Sequence, residues 1–144
     1  MGVSYSYSHR IGWGECDSAG IVHYPYFYRW FDQGAHEVMR KAGYSVKSMR
    51  AGGMDILLVE TGCKYRAPGH YDEIVEITTE ITEAKGKIIR IQHGCQRDGT
   101  LLCEGFEVRA YADISVMGAF HAEPMPEAMI QALLGSYADG ELSY

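Results

Sequence analysis

Residues 14–32 read GECDSAGIVHYPYFYRWFD, and the change they make at Pro25 from a glycine-studded loop to an aromatic-rich helix frames the rest of the chain. Gly12, Gly14 and Gly20 sit among short polar residues, a composition that marks backbone of unusual dihedrals. Pro25 suits the first helical position, where its missing N–H would have had no partner anyway. Tyr24 therefore reads as the N-cap, with its own amide outside the helical ladder. From there Tyr24, Phe27, Tyr28, Phe31, Ala35, Val38, Met39 and Ala42 recur at spacings of three and four, with Arg29, Gln33, Glu37 and Arg40 opposite. The pattern predicts one helix to about residue 42, stopped by Gly43. Asp17 stands in the loop just ahead of it. A carboxylate near a helix N-terminus is held ionised by the dipole and the free N–H groups, and those N–H groups also suit an oxyanion.

Outward from this segment the period changes. SYSYSHRI, ahead of the loop, alternates as a first strand does, and Ser45 to Gly53 reads as a short amphipathic turn of helix. Residues 54–67 supply a strand ended by Pro68 and Gly69. In residues 72–82, Val75, Ile77, Thr79 and Ile81 alternate with Ile74, Glu76, Thr78 and Glu80, the pattern of a strand with one buried face. Ile89, Ile91, His93 and Cys95 repeat it after the AKGK turn. Asp98-Gly99 is a hairpin signal leading to a strand in which Phe106, Val108, Ala110 and Ala112 share a face, and a final amphipathic helix falls near residues 126–135. One long helix and about five antiparallel strands predict a single α+β domain over residues 1–144, its sheet curled around the helix. Ile74 and Ile88, on otherwise polar outer faces, are consistent with a further packing surface.

At 144 residues such a domain buries roughly 68–70% of the surface its unfolded chain exposes, enough for a core without staples. The four cysteines, Cys16, Cys63, Cys95 and Cys103, show no C-x-x-C spacing and read as reduced thiols. A formal net charge of −6 argues against general nucleic-acid binding. No leading apolar region of the secretory type and no membrane-spanning run of apolar residues stand in the sequence, so the expectation is a cytoplasmic protein without a membrane partner.

Residues 14–32 closely resemble the 4-hydroxybenzoyl-CoA thioesterase family, in which an aspartate in a D-x-A-G-I-V-x-Y-P pattern precedes the helix. Here the pattern stands as Asp17, Ala19, Gly20, Ile21, Val22, Tyr24 and Pro25, followed by Arg29, Trp30 and Asp32. The resemblance implies a hot-dog fold acting on acyl-CoA thioesters as a homo-oligomer, by family habit a dimer of dimers, with active sites between subunits. No cofactor is expected beyond the coenzyme A carried by the substrate, and no metal.

Thioester hydrolysis needs a nucleophile or base and a donor for the tetrahedral oxyanion, while coenzyme A thiolate leaves without a strong acid. Asp17 suits the first role and the Tyr24 amide the second. Gly20, His23, Phe27, Trp30 and Asp32 are the candidate acyl-binding residues, with Trp13 and Tyr26 completing a flat apolar pocket in which only one or two of these rings touch substrate. The related branch acting on short aliphatic acyl-CoAs has a histidine where this chain has Tyr24. Here His23 is one place earlier, which favours an aromatic acyl group and makes His23 a binding rather than a catalytic residue. Lys85 and Lys87 of the AKGK turn, with Arg66, are the candidates for the coenzyme A phosphates. Cys16 reads as a small buried thiol, and Asp32 with His36 as an i,i+4 polar pair without a third metal ligand, Asp32 also being placed to meet the acyl ring or buttress the loop. The alternatives are a thioesterase for short aliphatic or other acyl groups, and an acyl-CoA-binding protein without turnover.

Overall fold

Alternation carries the sheet. The computed structural model describes residues 2–135. Its strands are β1 (Ser4–Arg10), β2 (Met54–Tyr65), β3 (Ile74–Lys85), β4 (Ile88–Arg97), β5 (Thr100–Asp113) and the short β6 (His121–Ala122). In β3, Val75, Ile77, Thr79 and Ile81 are buried while Ile74, Glu76 and Thr78 face outward, as period-two patterning requires. The strands pair antiparallel in the order β1-β3-β4-β5-β2, with β6 added to the end of β5. Strand β6 has only two residues, too few for alternation to reveal. The β4–β5 hairpin turns at Asp98 and Gly99, both at positive φ (49° and 82°), as the Asp-Gly signal predicts.

The helices are α1 (Pro25–Lys41), α2 (Val46–Ala51) and α3 (Glu127–Leu134). Helix α1 starts at Pro25 with Tyr24 as N-cap, and Gly43 follows its end at φ +96°. Its buried stripe, Phe27, Trp30, Phe31, Gly34, Ala35, Val38 and Met39, lies against β1, β3 and β4. Trp30 and Gly34 occupy that stripe where the spacing alone placed Tyr28, which is half-buried. The long helix cradled by the curled sheet is the hot-dog arrangement expected above.

The core under α1 is cut in two by polar residues. One apolar cluster holds Ala35, Val38, Met39, Ile56, Ile81, Ile89, Ile91, Met129 and Leu133. The other holds Ile11, Val22, Phe27, Trp30, Phe31, Val75, Ile77, Cys95, Leu102 and Cys103. Between them Thr79, His93, Glu107 and Arg109 are all buried. The β4–β5 register sets Ile91 opposite Glu107, Ile89 opposite Arg109 and His93 opposite Gly105, so these charged residues share the helix-facing side. Phe106, Val108, Ala110 and Ala112 do share a face, but the first three pair with Gln92, Arg90 and Ile88 on the outer side. Gly34 lets the helix settle on this polar row: a Cβ there would lie 2.3 Å from Thr79 Oγ1. Gly105 likewise makes room for Phe31, whose ring would meet a Cβ at 2.8 Å. Phe31 stacks on the His93 imidazole at 4.8 Å and 6°.

All four cysteines are free thiols. Among the described residues no helix is long and apolar enough to cross a membrane. Ile74 is exposed and Ile88 half-buried, and they lie at opposite ends of the β3–β4 pair, since Ile88 stands beside Lys85. They do not form one patch.

Candidate active site

The loop ahead of α1 is built as a small hairpin on a turn. Residues Trp13–Glu15 form one turn of 3₁₀ helix, after which Cys16 pairs with Val22 and Ile21 with His70. The Asp17 amide donates to Ile21 O at 2.9 Å, and Gly20, at φ +78°, donates to Asp17 O at 3.0 Å. Val22 N donates to Gly69 O and Tyr71 N to Gly20 O, which seats the hairpin on the segment entering β3. Gly69 is buried there, where a Cβ would lie 3.1–3.4 Å from the side chains of Ile11, Val22 and Leu102. Asp17 is exposed, and its Oδ1 accepts the Ala19 amide at 2.8 Å in an Asx turn. Its Oδ2 has no hydrogen-bond partner among the described residues. The carboxylate thus shapes its own turn with one oxygen and offers the other outward.

The chain leaves the hairpin through His23, whose amide donates to Glu15 O at 2.9 Å. Tyr24 follows with helical dihedrals (φ −51°, ψ −33°), and its amide donates to no group among the described residues. That N–H sits at the positive end of a seventeen-residue helix. The Tyr24 ring lies edge-on to His23 and Tyr65, with the Tyr65 hydroxyl donating to Tyr24 O at 3.4 Å. His23 and Tyr24 are both exposed, as is Asp17.

Beside the loop opens a cavity of about 760 Å³. Tyr26, Arg29, Trp30 and Gln33 of α1, Leu58 and Thr61 of β2, and His9 and Glu15 line it, together with Asp32, Glu107 and Arg109. The wall is therefore mixed aromatic and charged, not the flat apolar slot that the aromatic spacing predicts. Of the predicted rings, Tyr26 and Trp30 reach it. Phe27 is core, edge-on to Trp30 at 5.2 Å, and Trp13 meets Tyr71 edge-on at the surface.

Two polar clusters organise the wall, and neither can be assembled from the sequence alone. In the first, Glu15 accepts the Gly12 amide (2.7 Å), the Trp30 indole N–H (2.9 Å) and one nitrogen of His9 (2.8 Å). Burial works to raise the Glu15 carboxyl, but the bonds from Gly12, His9 and Trp30 outweigh it and hold the group below the usual carboxylate range. In the second, Arg109 donates to Glu107 through Nε (2.8 Å) and Nη2 (2.5 Å), to Ile56 O (3.2 Å) and to Asp32 Oδ1 (3.0 Å). Glu107 Oε2 in turn meets His93 Nε2, and His93 Nδ1 meets Thr79 Oγ1 at 2.8 Å. Asp32 also faces His36 at 3.5 Å, the i,i+4 pair expected from spacing. The His36 ring facing it lowers the Asp32 carboxyl, and Asp32 in turn raises His36. His93, standing on the apolar face of β4, was the signal for a buried partner, because an imidazole in the core needs one. The partners themselves, Glu107 and Arg109, follow only from the register.

The basic candidates do not converge on the loop within one protomer. Arg66 lies near it, on the segment after β2, but is paired with Glu104 at 2.6 Å. Lys85 ends β3, whereas residues 70–73, which support the hairpin, precede its start. The length of the strand, on the order of 35 Å, separates Lys85 and Lys87 from Asp17. Among the described residues one group, Asp113, His121 and Glu123, places three potential metal-ligand atoms within 4.8 Å of one another. It lies where β6 joins β5, and the Asp113 carboxylate already accepts the Ser115 amide and hydroxyl.

The curled sheet, its buried helix and the hairpin at the helix N-terminus define a hot-dog thioesterase-type domain. A family model described as the thioesterase-like superfamily matches residues 11–133, and the chain belongs to that family of enzymes. The 4-hydroxybenzoyl-CoA thioesterase of Pseudomonas sp. (strain CBS-3) is 28% identical over 120 residues, 78% of this chain and 85% of that protein. Its solved structure superposes with a TM-score of 0.81 at 26% identity, covering 90% of this chain and 98% of that one. The structure of a gentisyl-coenzyme A thioesterase superposes with a TM-score of 0.79 at 28% identity, covering 90% and 99%. A protein of Aquifex aeolicus (strain VF5) is 30% identical over 81 residues, 56% of this chain and 63% of its own length, a little under two thirds.

Proposed function

We propose that the protein hydrolyses an aryl-CoA thioester such as 4-hydroxybenzoyl-CoA to the free acid and coenzyme A. The observation that carries this reading is the outward oxygen of Asp17 on a hairpin that leads directly to the Tyr24 amide at the start of α1, which donates to no group among the described residues. Asp17 acts as nucleophile on the acyl carbon or as base on the attacking water. The Tyr24 N–H donates to the oxyanion as the tetrahedral intermediate forms, and the intermediate collapses with loss of the coenzyme A thiolate, giving the free acid directly where water attacks, or an acyl-aspartyl anhydride that water then hydrolyses where Asp17 attacks. A wall that joins the rings of Tyr26 and Trp30 to the Asp32 carboxylate suits a flat ring bearing a polar substituent better than an alkyl chain. The two solved relatives above, both thioesterases of hydroxylated aromatic acyl-CoAs by name, support the same class.

The working enzyme in this reading is a homo-oligomer. Strand β2 is an edge of the sheet and exposes Leu58 and Val59 beside the cavity, so pairing it with a second copy covers apolar surface and satisfies an open ladder. Lys85, Lys87 and Arg66 then serve the coenzyme A phosphates across subunits rather than within one.

The test is thiol release from 4-hydroxybenzoyl-CoA, benzoyl-CoA and a short aliphatic CoA series, wild type beside Asp17→Asn. The expected outcome is highest kcat/KM on the hydroxylated aryl-CoA and a loss of ~10²–10⁴ in rate in the variant, the range for removal of a positioned base. Binding without turnover by the wild type makes it an acyl-CoA-binding protein, and turnover that survives Asp17→Asn refutes the role of Asp17.

A further inference from the structure

Among the described residues the Asp17 side chain makes one hydrogen bond, within its own turn, and that bond does not place the carboxylate relative to the cavity or to Tyr24. Two residues earlier, Glu15 holds the groups that do. Its Oε1 accepts the Gly12 amide and its Oε2 the Trp30 indole, while His9 of β1 reaches both oxygens at 2.8 and 3.0 Å. Its main chain closes the 3₁₀ turn through Gly12 O and accepts the His23 amide at 2.9 Å, one residue before Tyr24. One half-buried residue thus ties β1, the start of the loop, the segment entering α1 and the Trp30 wall of the cavity together.

We infer that Glu15 is the positioning residue of this active site, setting the Asp17 hairpin, the Tyr24 amide and the Trp30 wall in one fixed geometry. The inference rests on the thioesterase reading above. Glutamine is nearly isosteric but cannot do the same work, because three donors meet a side chain with one acceptor oxygen and a new NH₂. The reacting groups then remain present but are held loosely, and a misplacement of about 1 Å costs on the order of 10²-fold in rate.

Three proteins, wild type, Glu15→Gln and Glu15→Asp, are compared for kcat and KM on 4-hydroxybenzoyl-CoA and for amide hydrogen exchange over residues 15–24, with Asp17→Asn alongside. In Glu15→Gln we expect kcat to fall about 10²-fold with KM within threefold, and faster exchange at Asp17, Gly20 and Val22, whose amides close the hairpin. Glu15→Asp, which keeps the carboxylate, is expected to recover at least part of both effects. A folded Glu15→Gln with wild-type kcat, or with exchange in the hairpin unchanged, overturns the inference. If the wild type turns over none of the thioesters, the functional reading fails on its own, and the exchange data alone decide whether Glu15 holds the loop.

Discussion

Replacing Arg109 by leucine removes the cation from the buried row beneath α1 while keeping comparable apolar bulk. The side chain of Glu107 is 5% exposed and that of Arg109 7%, so neither charge is relieved by water. The substitution deletes both bonds to Glu107, the bond to Ile56 O and the bond to Asp32. The last counts for little, because the Asp32 side chain is 56% exposed and solvent screens it. What dominates is the Glu107 carboxylate, left with His93 as its remaining partner among the described residues. Breaking a buried pair from one side costs roughly 3–5 kcal/mol, out of a total stability of about 5–15 kcal/mol. For a chain of this size that lowers Tm by on the order of 6–20 °C. The assay is equilibrium urea unfolding at fixed protein concentration for Arg109→Leu, Glu107→Leu and the double variant. Each single change is expected to lower the midpoint strongly, and the double to be more stable than Arg109→Leu alone, since an apolar pair leaves no buried charge uncompensated. A single-variant loss below about 1 kcal/mol, or losses that simply add in the double, would refute the claim that Glu107 depends on Arg109 for compensation.

Gly34→Ala tests the close approach of α1 to the same row. Alanine normally favours a helix over glycine by about 1 kcal/mol, but here its Cβ meets Thr79 Oγ1, which is itself held by His93, so we expect net destabilisation of ~1–3 kcal/mol by urea unfolding, and a stabilised variant would show the row to be compliant. For Asp32 and His36 the sign follows from the shifts: the raised His36 contributes stability that is complete below the ordinary histidine range and lost as pH rises through its own pKa, while the lowered Asp32 contributes above the ordinary carboxylate range and loses it as pH falls through its pKa. The pair therefore helps most between those limits, and an NMR titration of His36 is expected to move to lower pH in Asp32→Asn. A His36 midpoint unaltered by that change would mean the pair does not exist in solution.

Much of the fold is a local matter and can be read locally. Pro25, Gly43, Ser45 and the Asp98-Gly99 turn act through their own dihedrals and missing or offered donors, so the limits of α1, α2 and the β4–β5 hairpin stand close to where the sequence puts them. The loop segment was legible for the same reason, since glycines, the Asp17 carboxylate and a helix start lie within a few residues. The strand periods were legible too, because alternation reports one bit, which residues share a face.

Which face is buried is not local, and there tertiary structure decided. Alternation is enough to place Phe106, Val108, Ala110 and Ala112 on one side of β5. Only the β4–β5 register decided that their neighbours Glu107 and Arg109, not they, face the helix. It decided this because His93 and Thr79 stand on that same side of the neighbouring strands, and a charged pair is tolerated in a core where such partners await it. In the same way the composition around Asp17 announced a carboxylate at a helix start, but it was folding that brought His9 of β1 and Trp30 of α1 onto Glu15, beside the local bond from Gly12. Hydrogen bonds between residues distant in the chain have no periodicity to betray them, so the groups that hold this site in place appear only once the chain has closed on itself.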